Sequence, residues 1–317
     1  MKHTLILPAV LLLAPLAASA AEPTPQNRQI TNGTITVTVS ARNAGAVCSL
    51  VYDGQEFVND HDHGRQLQAA WFYDDHGEAY NPTEAGSDSD GGGPTSTSRL
   101  LALNVTGNTL QTQSHPAFWR NLSVPERHRK NTVDVTKDKL TKKLTLGYGG
   151  DPHVLVFDSM VAISADLTGP GMESIRMEAP TLYSHAGLNR HFLLDLASGD
   201  LSEHALRAHM KNQMNEVIRN VKRHDLIPIL GTADGRHAIA LFTPRRPDFW
   251  AYYTHHVPSD NPSHACGKMT AFFKHAAAPG QSHAYRTFVI VGDLDTVKAS
   301  ARRLHARTSQ APASPNQ

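Results

Sequence analysis

The chain has 317 residues, of which 40% are hydrophobic and 19% are charged, so it can bury a sizeable core. This composition excludes an intrinsically disordered protein, because many side chains favour burial and the formal net charge is only +1. The 30 lysines and arginines stand against 29 acidic residues. That balance argues against a dedicated nucleic-acid-binding protein, which would carry a surplus of basic residues.

The first twenty residues predict a secretory signal peptide. Lys2 precedes an apolar run at residues 5–13, and the small residues Ala18 and Ala20 form an A-x-A type cleavage site. The run is too short to span a bilayer, and no later stretch approaches the roughly 18 to 20 apolar residues of a transmembrane helix. We therefore expect cleavage near Ala20 and an exported protein, periplasmic or secreted, without a membrane span.

The remaining chain predicts one domain between two flexible ends. Residues 21–29 and residues 308–317 are polar and contain repeated prolines, as flexible segments do. Residues 30–307 show no linker-like change of composition and no internal repeat. We therefore expect a single β-sandwich domain over residues 30–307.

Strand patterns dominate this domain. Residues 34–39 alternate strictly and are rich in β-branched side chains, which predicts a half-buried strand. The pair Asp53-Gly54 predicts a tight turn, and Gly107-Asn108 predicts the turn of a hairpin. Further strands are predicted at residues 46–52, 101–106, 109–114, 140–148, 154–165, 237–242, 268–274 and 284–291.

Helical patterns are sparse. Residues 295–304 predict a short C-terminal helix, and residues 202–221 carry apolar side chains at roughly helical spacing, which indicates at best a surface helix. Strands and helices do not alternate along the chain, which argues against a Rossmann fold or a TIM barrel. The predicted fold class is all-β, a large antiparallel sandwich with one short C-terminal helix.

A polar segment at residues 59–94 interrupts the strand pattern, and long segments of this kind in compact domains are often functional. His61 and His63 could ligate zinc, supply an acid–base group or form a polar strand end. We expect no metal, because a clear third ligand is missing. Arg65 could clamp a carboxylate or a sugar hydroxyl, or it could form a structural salt bridge with a neighbouring acid.

A second polar segment at residues 179–192 gathers hydroxyl, imidazole, amide and guanidinium groups within nine residues. This mixture of donors, acceptors and a titratable base suits a ligand rich in hydroxyl groups. The residues that form it are Tyr183, His185, Asn189, Arg190 and His191.

The chain contains two cysteines, Cys48 and Cys266. In an oxidising compartment an even number of cysteines favours one disulfide, and two separate buried thiols are the alternative. The sequence leaves both open.

Several common catalytic motifs are missing from the sequence. It contains no G-x-S-x-G elbow, P-loop, dinucleotide fingerprint or H-E-x-x-H motif. Their absence disfavours an α/β-hydrolase, an ATPase, a dehydrogenase and a zinc protease. We expect no cofactor.

The N-terminal pattern resembles the start of galactose mutarotase-like domains. In those domains a first strand precedes a Gly-x-x-x-x-Leu-x-x-x-Gly hairpin, as residues 30–37 precede residues 45–58 here. Residues 228–238 resemble later strand pairs of the same group. Residues 63–68 together with residues 81–86 are similar to exported bacterial proteins of this superfamily.

This resemblance, which covers roughly residues 30–295, implies a β-supersandwich whose concave face binds sugars. Mutarotases of the family use a histidine acid and a glutamate base to open and close a pyranose ring. Related folds occur in polysaccharide lyases and in accessory domains of glycoside hydrolases. The implied partner of this chain is therefore a sugar or a polysaccharide.

Our first hypothesis is an exported carbohydrate-active enzyme of the epimerase, lyase or glycosidase type. Such chemistry needs one group that donates a proton and another that accepts it. We expect His63 or His185 as the acid–base group and Glu84 as its carboxylate partner. The residues expected to bind substrate are Arg65, Gln66, Tyr80, Asn81, Tyr183, Asn189, Arg190 and His191.

Two alternatives remain at this stage. One is a non-catalytic glycan-binding or cell-envelope protein on the same scaffold, and the other is an exported structural domain whose polar loops brace each other. The geometric observation that discriminates the enzyme from the binding protein is whether Glu84 and a histidine converge on one pocket or point to different faces. The expected site also requires that residues 59–94 and residues 180–192 line one cleft.

Overall fold

A computed structural model describes residues 27–73, 77–120, 135–166, 172–204, 214–215, 225–255 and 266–309. The expected signal peptide and most of the segment at residues 202–221 lie outside these ranges. The described strands, in chain order, are β1 (Arg28–Thr31), β2 (Ile35–Val39), β3 (Val47–Tyr52), β4 (Gln55–Glu56), β5 (Leu67–Tyr73), β6 (Pro82–Thr83), β7 (Arg99–Thr106), β8 (Thr109–His115), β9 (Ala117–Phe118), β10 (Lys139–Tyr148), β11 (Asp151–Ala162), β12 (Ser174–Ser184), β13 (Arg190–Asp195), β14 (Leu201–Glu203), β15 (Met214–Asn215), β16 (Leu226–Gly231), β17 (Ala238–Phe242), β18 (Phe249–His255), β19 (Cys266–Ala276) and β20 (Ser282–Gly292).

In the described part of the chain these strands form two large antiparallel sheets. The eleven-stranded sheet has the order β1-β2-β3-β5-β12-β19-β18-β15, with β4, β6 and β9 attached at its side. The nine-stranded sheet has the order β14-β13-β16-β17-β20-β11-β10-β8-β7. The helix α1 spans Leu294–Ser309, and short 3-10 helices span Gly77–Tyr80 and Asp88–Asp90. The predicted fold class, an all-β sandwich with a C-terminal helix, is confirmed.

The two predicted turns join strands as expected. Asp53 and Gly54 have φ angles of 48° and 74°, which is the backbone of a type I′ hairpin turn between β3 and β4. β7 and β8 form the predicted hairpin, with Thr106 opposite Thr109. Local turn chemistry was therefore readable from the sequence.

Two strands at the centre of the eleven-stranded sheet carry residues of the segments that the sequence marks as polar. β5 lies within residues 59–94, and β12 overlaps residues 179–192; the two strands pair with each other. Polar and apolar residues are mixed in these two strands because one face of each strand points into the core and the other face points away from it. This placement brings the two polar segments together.

The core lies between the sheets, where each strand contributes alternate side chains. Trp71 and Tyr73 of the eleven-stranded sheet are fully buried in the same apolar cluster as Phe157 and Phe288 of the nine-stranded sheet. α1 packs against β11, β17 and β20. It buries one stripe at helical spacing, formed by Val297, Ser300, Ala301 and Leu304.

A buried ion pair connects the two sheets. Lys142 of β10 is fully buried; its Nζ contacts the Glu84 carboxylate and donates to the Gly45 carbonyl at 2.7 Å. The other carboxylate oxygen of Glu84 accepts a bond from the backbone N–H of Ala69 in β5 at 3.0 Å. Burial lowers the pKa of Lys142, and the charge of Glu84 opposes that shift. The pair therefore ties β10 to β5 through groups that water does not reach.

The two cysteines are free thiols, so of the two possibilities that the sequence left open the separate thiols are present and the disulfide is not formed. Cys48 lies on β3 and Cys266 begins β19, with β5 and β12 between these strands. Three steps between neighbouring strands span about 14 Å, whereas a disulfide needs Cα atoms within about 7 Å. Burial raises the pKa of the Cys48 thiol to about 12, so this thiol stays protonated at neutral pH.

None of the helices in the described ranges is long and apolar enough to cross a bilayer.

Replacing one member of the buried ion pair should destabilise the fold strongly. We expect Lys142→Met to reduce the free energy of unfolding by about 3–5 kcal/mol, because it leaves the Glu84 charge buried without a counter-charge. The double variant Lys142→Met/Glu84→Gln should recover part of this loss. Urea unfolding checks both values, with the exposed neighbour change Lys143→Met as the control. Equal stability of the Lys142→Met and Lys143→Met variants would contradict the prediction.

Candidate functional site

A cavity of about 690 Å³ lies against the face of the eleven-stranded sheet that points away from the core. Strands β5, β12, β18 and β19 form its floor, and the segments around Gly64, Glu78 and Trp119 form its walls. Its lining residues are Asp62, Gly64, Arg65, Gln68, Ala70, Phe72, Glu78, Asn81, Thr83, Trp119, Arg120, Arg176, Glu178, Thr181, Tyr183, Phe249, Ala251, Lys268 and Phe272.

Strand alternation decides which side chains of β5 enter the cavity. Leu67, Ala69, Trp71 and Tyr73 point into the core and are fully buried there. The intervening residues Gln68, Ala70 and Phe72 line the cavity instead. One strand therefore serves the core and the cavity at the same time.

A register shift in β12 keeps its polar side chains on the cavity face. Arg176 and Glu178 line the cavity, and the pairing with both neighbouring strands then shifts between Glu178 and Thr181. After the shift Thr181 and Tyr183 line the cavity. The irregularity, a β-bulge, therefore aligns four chemically different side chains along one strand.

The cavity floor holds a buried ion pair. Lys268 Nζ of β19 donates to Glu178 Oε1 of β12 at 2.9 Å, and the two side chains are 9% and 3% exposed. Lys268 Nζ also lies 5.1 Å from the ring centre of Tyr183, within the range of a cation–π contact. A carboxylate and an ammonium group with little exposure to bulk water are suited to proton transfer with a bound molecule.

Two further ion pairs lie at the cavity wall. Arg65 contacts the carboxylate of Asp62, and Arg120 Nη2 lies 2.9 Å from Glu78 Oε2. Gly64 lies beside Trp119, and a Cβ at Gly64 would come within 2.6 Å of that indole ring. A glycine at this position is therefore needed for the Trp119 ring to pack against the wall.

Arg176 is held by two aromatic rings on the cavity face. Its Cζ lies 4.8 Å from the ring centre of Phe72 and 5.7 Å from that of Phe272. Its Nε is buried and has no hydrogen-bond partner among the described residues. Its guanidinium group therefore has unused donor capacity.

Three of the predicted substrate-binding residues line this cavity, namely Arg65, Asn81 and Tyr183. Asn81 is largely buried, and its Nδ2 donates to the Trp71 carbonyl at 2.7 Å. The two polar segments thus meet in one cleft where β5 and β12 pair. Roles for these residues in binding stay predictions.

Four other predicted residues from the first polar segment lie outside the lining of the cavity. Glu84 is committed to Lys142, and His63 is fully buried with ring nitrogens 2.7 Å and 3.2 Å from the carbonyl oxygens of Gly91 and Arg42. Gln66 Nε2 donates to Asp60 Oδ1 at 2.6 Å. The Tyr80 ring packs edge-on against Phe118. The catalytic roles expected of Glu84 and His63 have no support from this placement.

The remaining predicted residues follow the end of β12 and leave the cavity. His185 and Asn189 are exposed, and neither lines the cavity. Arg190 begins β13 in the other sheet, where its Nε donates to Glu203 Oε1 at 2.8 Å. His191 is 1% exposed, and burial lowers its pKa to about 4. These four residues therefore do not converge with Glu84 on one pocket.

Four ionisable residues of the lining were not among the predicted site residues, namely Arg176, Glu178, Lys268 and Arg120. The sequence pattern that could have identified them is a pair of ionisable residues at alternate positions of an otherwise apolar strand, as in Arg176-Met177-Glu178. Such a residue needs either a partner or a solvated cavity. Pairing between β12 and β19, which joins residues about 90 positions apart, could not be read from the sequence.

No protein-family model matches the sequence, and no curated protein matches it significantly. Solved structures show a weak similarity. A candidate aldose 1-epimerase from Escherichia coli K12 is 11% identical, with 85% of this chain and 99% of that chain covered and a TM-score of 0.48. A galactose mutarotase related enzyme from Lactobacillus acidophilus is 11% identical, with 85% and 98% covered and a TM-score of 0.48. A galactose mutarotase-like protein from Clostridium acetobutylicum is 8% identical, with 86% and 100% covered and a TM-score of 0.40.

These structures include galactose mutarotase-like proteins, the group that the sequence resembles. At these identities and TM-scores the likeness says nothing about the activity of this chain. Any function of this chain therefore has to be inferred from the residues that line the cavity.

The buried His191 should make the fold sensitive to acid. Its folded pKa of about 4 lies below the usual 6.5, so the unfolded chain binds a proton more readily between these values. We expect the free energy of unfolding to fall as pH drops from about 6.5 to about 4. In His191→Gln the slope over this range should be smaller by up to about 1.4 kcal/mol per pH unit. Urea unfolding at several pH values measures the slope, with the exposed His185→Gln as the control; identical slopes in the two variants would contradict the prediction.

Proposed function

We propose that this protein binds a carbohydrate in the cavity and that Glu178 and Lys268 transfer protons on the bound sugar. The observation that carries the proposal is the buried Glu178–Lys268 pair on the floor of a cavity whose lining includes aromatic rings. The acid–base role expected of Glu84 and the histidines is thus assigned to Glu178 and Lys268, which line the cavity.

The lining supports a sugar-sized ligand. A volume of about 690 Å³ falls within the usual range for small-molecule sites, about 300–1,000 Å³. Trp119, Tyr183 and Phe249 contribute aromatic rings to the lining, which suit the apolar faces of a sugar ring, while Asn81 and Thr181 contribute polar groups. Thr181 Oγ1 is buried and has no hydrogen-bond partner among the described residues, so a ligand hydroxyl would satisfy it.

The arrangement of carboxylates favours proton transfer over hydrolysis. A glycosidase of the usual kind needs two carboxyl groups on either side of the scissile bond. Here Asp62 and Glu78 are paired with arginines at the wall, and Glu178 faces an ammonium group. A carboxylate that accepts a proton and an ammonium that donates one suit epimerisation or elimination.

Removing the charges of this pair should abolish turnover while sugar binding persists. We expect a loss of about 100-fold or more in kcat for Glu178→Gln, because proton transfer contributes about 10²–10⁴-fold. The double variant Glu178→Gln/Lys268→Met removes both charges and avoids a single uncompensated buried charge. Calorimetry on a panel of oligosaccharides measures binding, and NMR of the same mixtures measures turnover.

Glu203→Gln and Lys139→Met are the matched controls, since both residues are exposed and belong to the other sheet. Full turnover in the double variant would refute the assignment of the pair. Binding by the wild type without any turnover would refute the catalytic part and support the glycan-binding alternative.

We also propose that the protein acts after export. Residues 1–20 support this, through the basic residue, the apolar run and the A-x-A site. Expression of the full chain in a bacterium should yield a periplasmic or secreted product whose N-terminus lies near residue 21. Fractionation with N-terminal sequencing checks this, and an intact cytoplasmic chain would contradict it.

A further inference from the structure

The lining of the cavity holds four cationic and three acidic side chains, and Asp88 outside the lining lies 3.9 Å from Arg120. Each acidic residue of the lining has a cationic partner, in the pairs Asp62–Arg65, Glu78–Arg120 and Glu178–Lys268. Arg176 is the fourth cation of the lining, and no acidic group of the described residues lies within ion-pairing distance of it. Arg176 is therefore a cation of the lining that no described acidic group pairs with.

Lys274 lies beside Arg176, outside the lining of the cavity. Lys274 of β19 stands directly opposite Arg176 of β12, and side chains that face each other across paired strands lie on the same face of a sheet. The Lys274 side chain is exposed. The backbone N–H of Lys274 donates to Asp248 Oδ2 at 2.7 Å, so a carboxylate lies beside Lys274.

The position of Arg176 is preorganised for a planar anion. The rings of Phe72 and Phe272 contact the guanidinium, which limits its movement and its contact with water. Guanidinium groups bind carboxylates through two parallel hydrogen bonds, and the Nε of Arg176 has no other partner in the described ranges. An anion at this point would meet donors that no protein group uses.

We propose that the ligand of the cavity is an acidic sugar whose carboxylate binds Arg176. This inference rests on the proposed carbohydrate function and names the class of sugar. Arg176 and Glu178 are two residues apart on the same face of β12, a distance of about 7 Å along the strand. A uronate whose carboxylate pairs with Arg176 therefore places its ring at the Glu178–Lys268 pair.

The test compares uronate oligosaccharides with their carboxyl-reduced products, which differ only in that the carboxylate becomes a neutral hydroxymethyl group. The probes are tetrasaccharides of galacturonate, of mannuronate and of hyaluronan, each with its reduced form, and glucose 6-phosphate beside glucose. Calorimetry on the full-length protein gives the Kd values. We expect at least one uronate to bind about 10-fold or more tightly than its reduced form.

Arg176→Gln should abolish this preference and leave the affinity for the reduced oligosaccharide within about 2-fold. Arg176→Lys should keep part of the preference, because it retains the charge and loses the two-bond geometry. Arg286→Gln, an exposed arginine of β20 paired with Asp158, is the control and should bind like the wild type. Thermal unfolding of each variant separates loss of binding from loss of fold, and the Lys variant keeps the comparison valid if the Gln variant does not fold.

The outcomes distinguish the two proposals. Equal affinity for uronate and reduced oligosaccharides, or an unchanged preference in Arg176→Gln, overturns the acidic sugar while carbohydrate binding stands. A preference for glucose 6-phosphate over every uronate overturns the carboxylate assignment. Failure of all these oligosaccharides to bind the wild type overturns the proposed function together with this inference.

Discussion

The structure depends on the alternation of side chains along three paired strands, β5, β12 and β19. Because neighbouring residues of a strand point to opposite faces, a residue that enters the core places its neighbour in the cavity. Trp71 and Phe72 show this division, since Trp71 is fully buried in the core and Phe72 contacts Arg176 in the cavity. A slip of one residue in any of these strands would exchange core and cavity residues.

Two buried lysine–glutamate pairs lie on opposite sides of this sheet. The Lys142–Glu84 pair faces the interior, is inaccessible to water and ties the sheets together. The Glu178–Lys268 pair is almost as buried, but it lines a cavity that a ligand can enter. Burial of an ionisable pair therefore does not identify a functional site, and the accessible volume beside it separates the two cases.

Much of the fold was predictable, because its signals are local. The alternation in residues 34–39, the turn at Asp53-Gly54 and the hairpin at Gly107-Asn108 each depend on neighbouring residues, and the structure confirms them.

The candidate site was predictable only in outline. The sequence marked two polar segments, and Arg65, Asn81 and Tyr183 do line the cavity, whereas Glu84, His63 and His185 lie outside it. Polarity alone could not separate a buried structural pair from a group that faces a cleft.

By itself the sequence determined the all-β class, the turn positions and the C-terminal helix. Only the tertiary structure decided that Lys268 reaches Glu178, that Cys48 and Cys266 stay apart, and that Arg176 stands without an acidic partner in the described chain. The physical reason is the distance along the chain over which each effect acts. Propensity and turn chemistry act over a few residues, whereas these contacts depend on which strands become neighbours in the sheet. That order arises from the joint packing of the whole core.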